Sequence, residues 1–261
     1  MKNYEGYVSC PASDSLCDPA PEGDTPVDKT HYLGMVMSVM YIARLTQANV
    51  LFPTTYLASK SQAPTTKNYN DLCRVLKYLE KNPDYGIMFK KDAGIIATIY
   101  TDASHGLHSD GKGHVGIIIT LGSGYVQAKS TKIKIITLSS TESEGVALCE
   151  ATTYARWVRA MLEGFGKKME APTALFMDNE SAILLAKKDG HFLKNKRVMI
   201  RRNYTREGIE MKVVKPMHKV TTQMPADMLT KMKVSRLLKV DMLAAGMIEL
   251  PKTKDLSESK T

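Results

Sequence analysis

Cysteine is scarce and poorly spaced for chemistry: Cys10, Cys17, Cys73 and Cys149 are the four in 261 residues, and none stands in a CxxC or zinc-finger spacing. That argues against a zinc centre and a disulfide framework, and points to a reduced, intracellular chain. No apolar run reaches the roughly 20 residues of a membrane span, and the start MKNYEGYVSC lacks a signal-peptide core. The expectation is a soluble cytoplasmic protein, or one carried into the nucleus, with no membrane partner. Acidic residues fall short of basic ones, 27 against 36, and the balance of +9 favours an acidic polymer as partner. Against these shortages, 43% hydrophobic residues in a chain of this length suffice to bury a proper core.

The chain divides by pattern. Residues 1–28, rich in Pro, Asp, Ser and Gly, read as an irregular lead-in. Residues 29–92 read as a helical unit. Leu33, Met37, Met40 and Tyr41 recur at helical steps behind a cap at Asp28 or Thr30. Pro53 should kink or divide a second helix, and Tyr69, Leu72, Cys73, Leu76 and Leu79 stripe a third. From residue 93 the period changes. Segments 95–101, 114–121 and 125–137 read as strands joined by Asp110-Gly111 and by Gly122-Ser123-Gly124, an antiparallel meander. A long amphipathic helix follows, then the strand TALFM running into a helix, another helix at NKRVMIRRNYTREG, a fifth strand at IEMKVVKP and a short helix at MPADMLTKM. Residues 236–261 read as a last helix with a polar tail. This order predicts an α/β fold, a five-stranded mixed sheet with helices on both faces.

Four acids stand out by position. Asp102 ends the first strand of the meander, and Asp178 ends TALFM. If those strands run parallel, their carboxyl-end acids lie side by side. On the long helix Glu144 continues the stripe Ala147, Leu148, Ala151, Ala155, Val158, Leu162, whereas Glu142 sits about 200° away. Glu144 could instead close a capping box with Thr141, and Asp178 could cap its helix. Asp227 opens the short helix in MPADMLTK, where an acid also suits the helix dipole. Taken jointly, the four carboxylates would repel one another unless a cation lay between them. Such hard oxygens suit two Mg²⁺ or Mn²⁺ ions about 3.5–4 Å apart, the clamp used for phosphodiester cleavage.

The strings YTDAS, LSSTESEGVAL, LFMDNESAILLAK and MPADMLTK, in this order, resemble the ribonuclease H domain of copia-type LTR retrotransposon Pol polyproteins over roughly residues 93–235. HYLGMVMSVMYIARLTQANVLF and VLKYLEKNPDYGIMF resemble the segment that joins it to the reverse transcriptase. The resemblance implies a ribonuclease H-like five-stranded mixed sheet and metal-dependent hydrolysis of the RNA strand of an RNA/DNA hybrid. It carries Asp102, Glu144, Asp178 and Asp227 onto the metal-binding, catalytic acids. His218, before the last acid, falls where many ribonucleases H use a His for proton transfer. No YxDD polymerase signature occurs, so polymerisation is not expected, and a reverse transcriptase domain of the same polyprotein is an expected partner. KRVMI replaces a usual KHID-like stretch, which leaves a second reading open: a catalytically silent nucleic-acid-binding remnant or structural domain of a larger polyprotein.

Between Lys187 and Arg206 eight basic residues face one acid, Asp189. Lys194, Lys196, Arg197, Arg201 and Arg202 are the candidates for holding hybrid phosphates without sequence preference. Trp157, on the long helix, is expected to pack.

Overall fold

The computed structural model describes residues 8–188 and 196–250. The first layer to form along the chain is helical: α1 (Lys29–Leu45), α2 (Leu51–Ala58) and α3 (Thr66–Lys81). Asp28 caps α1 by accepting from the His31 N–H at 2.6 Å. The expected second helix is divided ahead of Pro53, into a 3₁₀ turn (Ala48–Val50) and α2. Pro53 sits in the first turn of α2, where its missing N–H has no partner to lose.

The strands are β1 (Tyr85–Ile87), β2 (Ala97–Ser104), β3 (His114–Leu121) and β4 (Gly124–Lys132); then come α4 (Ser140–Gly164), β5 (Thr173–Met177), α5 (Glu180–Lys187), α6 (Lys196–Glu210) and β6 (Val214–His218). A 3₁₀ turn, Pro225–Leu229, replaces the expected short α-helix. The expected last helix ends early, as α7 (Ser235–Ala244), and is followed by β7 (Met247–Glu249).

The main sheet is five-stranded and mixed, in the order β4-β3-β2-β5-β6. The meander β2-β3-β4 is antiparallel, while β5 runs parallel to β2 and β6 parallel to β5. Pro216 lies inside β6, tolerated because β6 is an edge strand with no further neighbour to receive an N–H.

Helices cover both faces. On one, α4 and α5 bury Ala147, Ala151, Ala155, Ala182 and Ile183 against Ile99, Ile117 and Leu175. On the other, Val36, Phe52, Tyr56 and Leu72 of the first three helices share a core with Ile118, Tyr125, Met228, Leu238 and Met242. The segments 29–92, 93–235 and 236–250 thus build one continuous core. The lead-in joins it through Leu16, and the Tyr56 hydroxyl donates to the Cys17 carbonyl at 3.2 Å.

Two helix faces differ from expectation. On α1 the buried residues are Tyr32, Val36, Val39, Met40 and Ala43, whereas Leu33, Met37 and Tyr41 face outward. On α3 the buried face is Asn68, Leu72, Val75 and Tyr78, with Leu76 exposed. Both helices carry apolar residues on more than one side, and packing against neighbours selects the buried one. At the far end, β7 pairs antiparallel with β1, Tyr85 opposite Glu249. Gly246 makes that return possible: its φ of +79° and its approach to Ser123 leave no room for a Cβ. Among the described residues no helix is long and apolar enough to cross a membrane.

Candidate active site

Sheet register brings the first two acids together. Tyr100 on β2 lies beside Phe176 on parallel β5, and continuing that register two residues brings Asp102 level with Asp178. Asp178 is not the cap of α5. Asn179 is, accepting from the Ala182 N–H at 2.9 Å, and the Asp178 carboxylate instead accepts from the Thr221 hydroxyl at 2.8 Å.

The start of α4 divides its acids in the same way. Ser139 accepts from the Glu142 N–H at 3.2 Å, and the Glu142 carboxylate accepts from the Leu138 N–H at 2.9 Å. This reciprocal cap uses Glu142 and frees Glu144. Glu144 is buried and reaches the sheet, where Oε1 accepts from the Ala103 N–H at 3.3 Å. Its Oε2 is buried and has no hydrogen-bond partner among the described residues.

Asp227 comes from the 3₁₀ turn, which sits directly on β3 because residue 116 is glycine. A Cβ there would lie 2.7 Å from the Ala226 carbonyl oxygen and from Leu229 Cβ. Thr230, just after the turn, donates its hydroxyl to Asp102. Ligand oxygens of Asp102, Asp178 and Asp227 all lie within 4.8 Å of one another. Asp102, Glu144 and Asp178 line an open cleft of about 660 Å³, with Ser104, His105, Glu180, His218 and Lys231.

The cluster is short of positive charge. Burial, with Asp227 nearby, pushes the Asp102 carboxyl up to about 6 despite Lys231. Burial and the Asp102 and Asp178 charges push Glu144 well above the carboxylate range. Carboxylate-only donors and the unpartnered Glu144 oxygen fit a hard divalent cation such as Mg²⁺ or Mn²⁺, and among the described residues no sulfur or imidazole belongs to the cluster to favour zinc.

His218 ends β6 at the cleft wall, its Nδ1 3.6 Å from the Glu180 carboxylate. Of the basic candidates, Lys196 and Arg197 are exposed at the start of α6, and Arg201 is half-buried beside the α4 N-terminus. Lys194 lies outside the described residues. Arg202 stands apart from the other candidates. Only 7% exposed, it donates from Nε to the Leu185 carbonyl at 2.6 Å and from Nη2 to the Lys188 carbonyl, so those donors are turned inward, away from any hybrid. Trp157 packs edge-on against Tyr154 while remaining 48% exposed.

Sequence reasoning assigned no role to Thr230, Lys231 or Gly116. The signal for the first two was in hand, since both belong to the string MPADMLTK, and Lys231 follows Asp227 by one helical step. Gly116 offered no signal, because its need for a missing Cβ arises only when a distant turn lands on it.

An α/β protein with a five-stranded mixed sheet of this order and acids at the strand ends has the ribonuclease H-like architecture. Sequence relatives add to this. The retrovirus-related Pol polyproteins from transposons RE2 and RE1 of Arabidopsis thaliana are 29% and 28% identical over 205 and 210 residues, 78% and 80% of this chain and 14% of each relative. A secreted RxLR effector protein of Plasmopara viticola is 31% identical over 128 residues, 49% of this chain and 90% of that protein. The chain is similar to retrovirus-related Pol polyproteins of transposons, and it spans about 14% of the length of those first relatives. No family model matches it. Among solved structures, the ribonuclease H domain of rv2228c from Mycobacterium tuberculosis aligns over 58% of this chain and 99% of that one, at 12% identity and a TM-score of 0.38. LC11-RNase H1, isolated from compost, aligns over 55% and 99%, at 19% and 0.41.

Proposed function

We propose that the chain is a metal-dependent ribonuclease H that hydrolyses the RNA strand of RNA/DNA hybrids, as in copia-type elements. The observation that carries this reading is the convergence of Asp102, Asp178 and Asp227 within 4.8 Å, at the end of the sheet where Glu144 also points. Two divalent ions, when bound, would supply an activated water and a stabilised leaving oxygen.

The chain's own residues do the rest. Asp102 and Asp178 are fixed by the sheet, Asp227 by the turn seated on Gly116, and Glu144 by a helix whose cap is made elsewhere, so the donors cost little reorganisation. His218 engages Glu180 through Nδ1, leaving Nε2 to hand a proton to the leaving oxygen. Lys196, Arg197 and Arg201, with Lys194, would hold hybrid phosphates. The reverse transcriptase partner would be another part of the same polyprotein, since the relatives extend far beyond this segment.

One observation favours the silent-remnant reading: Lys231 already lies within 3.5 Å of two of the acids. A gel assay with a labelled RNA/DNA hybrid and Mg²⁺ separates the readings. The nuclease reading expects chelator-sensitive RNA cutting by the wild type, abolished in Asp102→Asn and Asp178→Asn while hybrid binding persists. Undiminished cutting by either variant defeats it.

A further inference from the structure

Five side chains of alternating charge run from the cleft into the second layer. Asp102 meets Lys231 at 3.5 Å, Lys231 meets Asp227 at 3.3 Å, Asp227 meets Lys233 at 3.0 Å, and Lys233 meets Asp241 of α7 at 2.8 Å. All three acids are buried. The two lysines differ. Lys233 is almost buried between two carboxylates, whereas the Lys231 side chain is 40% exposed and lines the cleft. Asp227 does not line the cleft, so on the cleft side Lys231 stands in front of it.

Two buried carboxylates this close need a cation between them. Lys231 supplies it, with Nζ 3.5 Å from Asp102 and 3.3 Å from Asp227. That ammonium contacts oxygens of two of the three residues that would hold a divalent ion.

We infer that Lys231 is a built-in counter-cation: it holds Asp102 and Asp227 together before a divalent ion arrives, and the ion displaces it toward solvent. This rests on the metal-dependent reading proposed above. Ammonium and metal compete for the same oxygens, so the binding of one lowers the occupancy of the other. The flexible stem of Lys231 and its open side toward the cleft give the ammonium somewhere to go. Lys233 has no such exit and keeps Asp227 aimed in both states, tethered to α7 through Asp241. Lys231 is therefore a positioning residue that tunes how much cation the site needs.

Isothermal titration of the full chain with Mn²⁺ alone tests this. Lys231→Met is expected to bind roughly tenfold more tightly than wild type, within the ordinary range for coupled sites, while Lys231→Arg, which keeps the charge, binds no tighter. A crystal structure of the wild type with Mn²⁺ bound is expected to show Nζ withdrawn from both carboxylates, and this decides the matter even if Lys231→Met fails to fold. Equal or weaker affinity in folded Lys231→Met, or bound Mn²⁺ with both lysine contacts intact, overturns the counter-cation inference and leaves the nuclease reading standing. Absence of Mn²⁺ binding in every folded protein tested overturns both.

Discussion

Replacing Arg202 with alanine separates structure from hybrid binding within one short helix. The guanidinium donates to the carbonyls of Leu185 and Lys188 at the C-terminal end of α5, and the last carbonyls of any helix lack partners within that helix. Positive charge there also complements the helix dipole. A hydrogen bond to a charged group nets about 1.5–3 kcal/mol, so losing two should cost about 3–6 kcal/mol, and the packing of the buried stem adds to that. That is a large share of the roughly 5–15 kcal/mol that holds a domain folded. Arg202→Lys should recover less than half, because an ammonium lacks the planar fork. Arg197→Ala, by contrast, removes an exposed charge and should change stability by less than about 0.5 kcal/mol. It should still weaken hybrid binding and reduce the salt slope by about one. Urea denaturation followed by circular dichroism measures the first effect, and anisotropy of a labelled hybrid between about 50 and 200 mM salt measures the second. The reasoning is refuted if Arg202→Ala keeps the wild-type urea midpoint yet loses hybrid affinity as much as Arg197→Ala does.

Three further perturbations test other parts of the site and its scaffold. Gly116→Ala should lift the Pro225–Leu229 turn from the sheet, costing about 1–3 kcal/mol and most of the cleavage rate; normal stability and turnover would show that the turn is not held by that close approach. Ser139→Ala should cost about 1 kcal/mol through the cap of α4, read from its melting temperature, with Glu144 still in place. His108 and His114 form a buried pair, Nε2 to Nδ1 at 3.0 Å, and His114 meets Ser130 at 2.7 Å. Burial pushes them down to about 4 and about 3. Both stay neutral in the folded chain and protonate near 6.5 in the unfolded one, so their contribution is full above pH 6.5 and is lost as pH falls toward 4. By pH 5 the loss should reach about 4 kcal/mol. Equal pH dependence of urea stability in wild type and a His108→Gln/His114→Gln variant would contradict it.

Much of this arrangement could be read from residues alone, and the failures share a cause. The strands were legible because alternation and turn chemistry are local, and the placing of Asp102 and Asp178 followed from where their strands end. Glu144 was legible by helix geometry, but which acid caps α4 was not, since Ser139 and Thr141 offer equally good starts and only tertiary contact chooses between them. The fifth strand was expected at IEMKVVKP and forms, but the edge position that lets Pro216 sit inside it is a property of the whole sheet. Arg202 looked like its neighbours in the basic run, and only the end of α5 lying beneath it turns its donors inward. Short β7 carries no pattern of its own and exists because β1 offers an unpaired edge.

The pairing of β7 with β1 has a bearing on synthesis. A nascent polypeptide emerges from the ribosome in order, so Tyr85–Ile87 must wait about 160 residues of translation for a partner, and Lys233 must wait for Asp241. A product released before residue 241 would carry all four motif acids yet leave Asp227 clamped from one side only. Termination ahead of residue 241 should therefore yield a chain with every signature present and its last carboxylate poorly aimed.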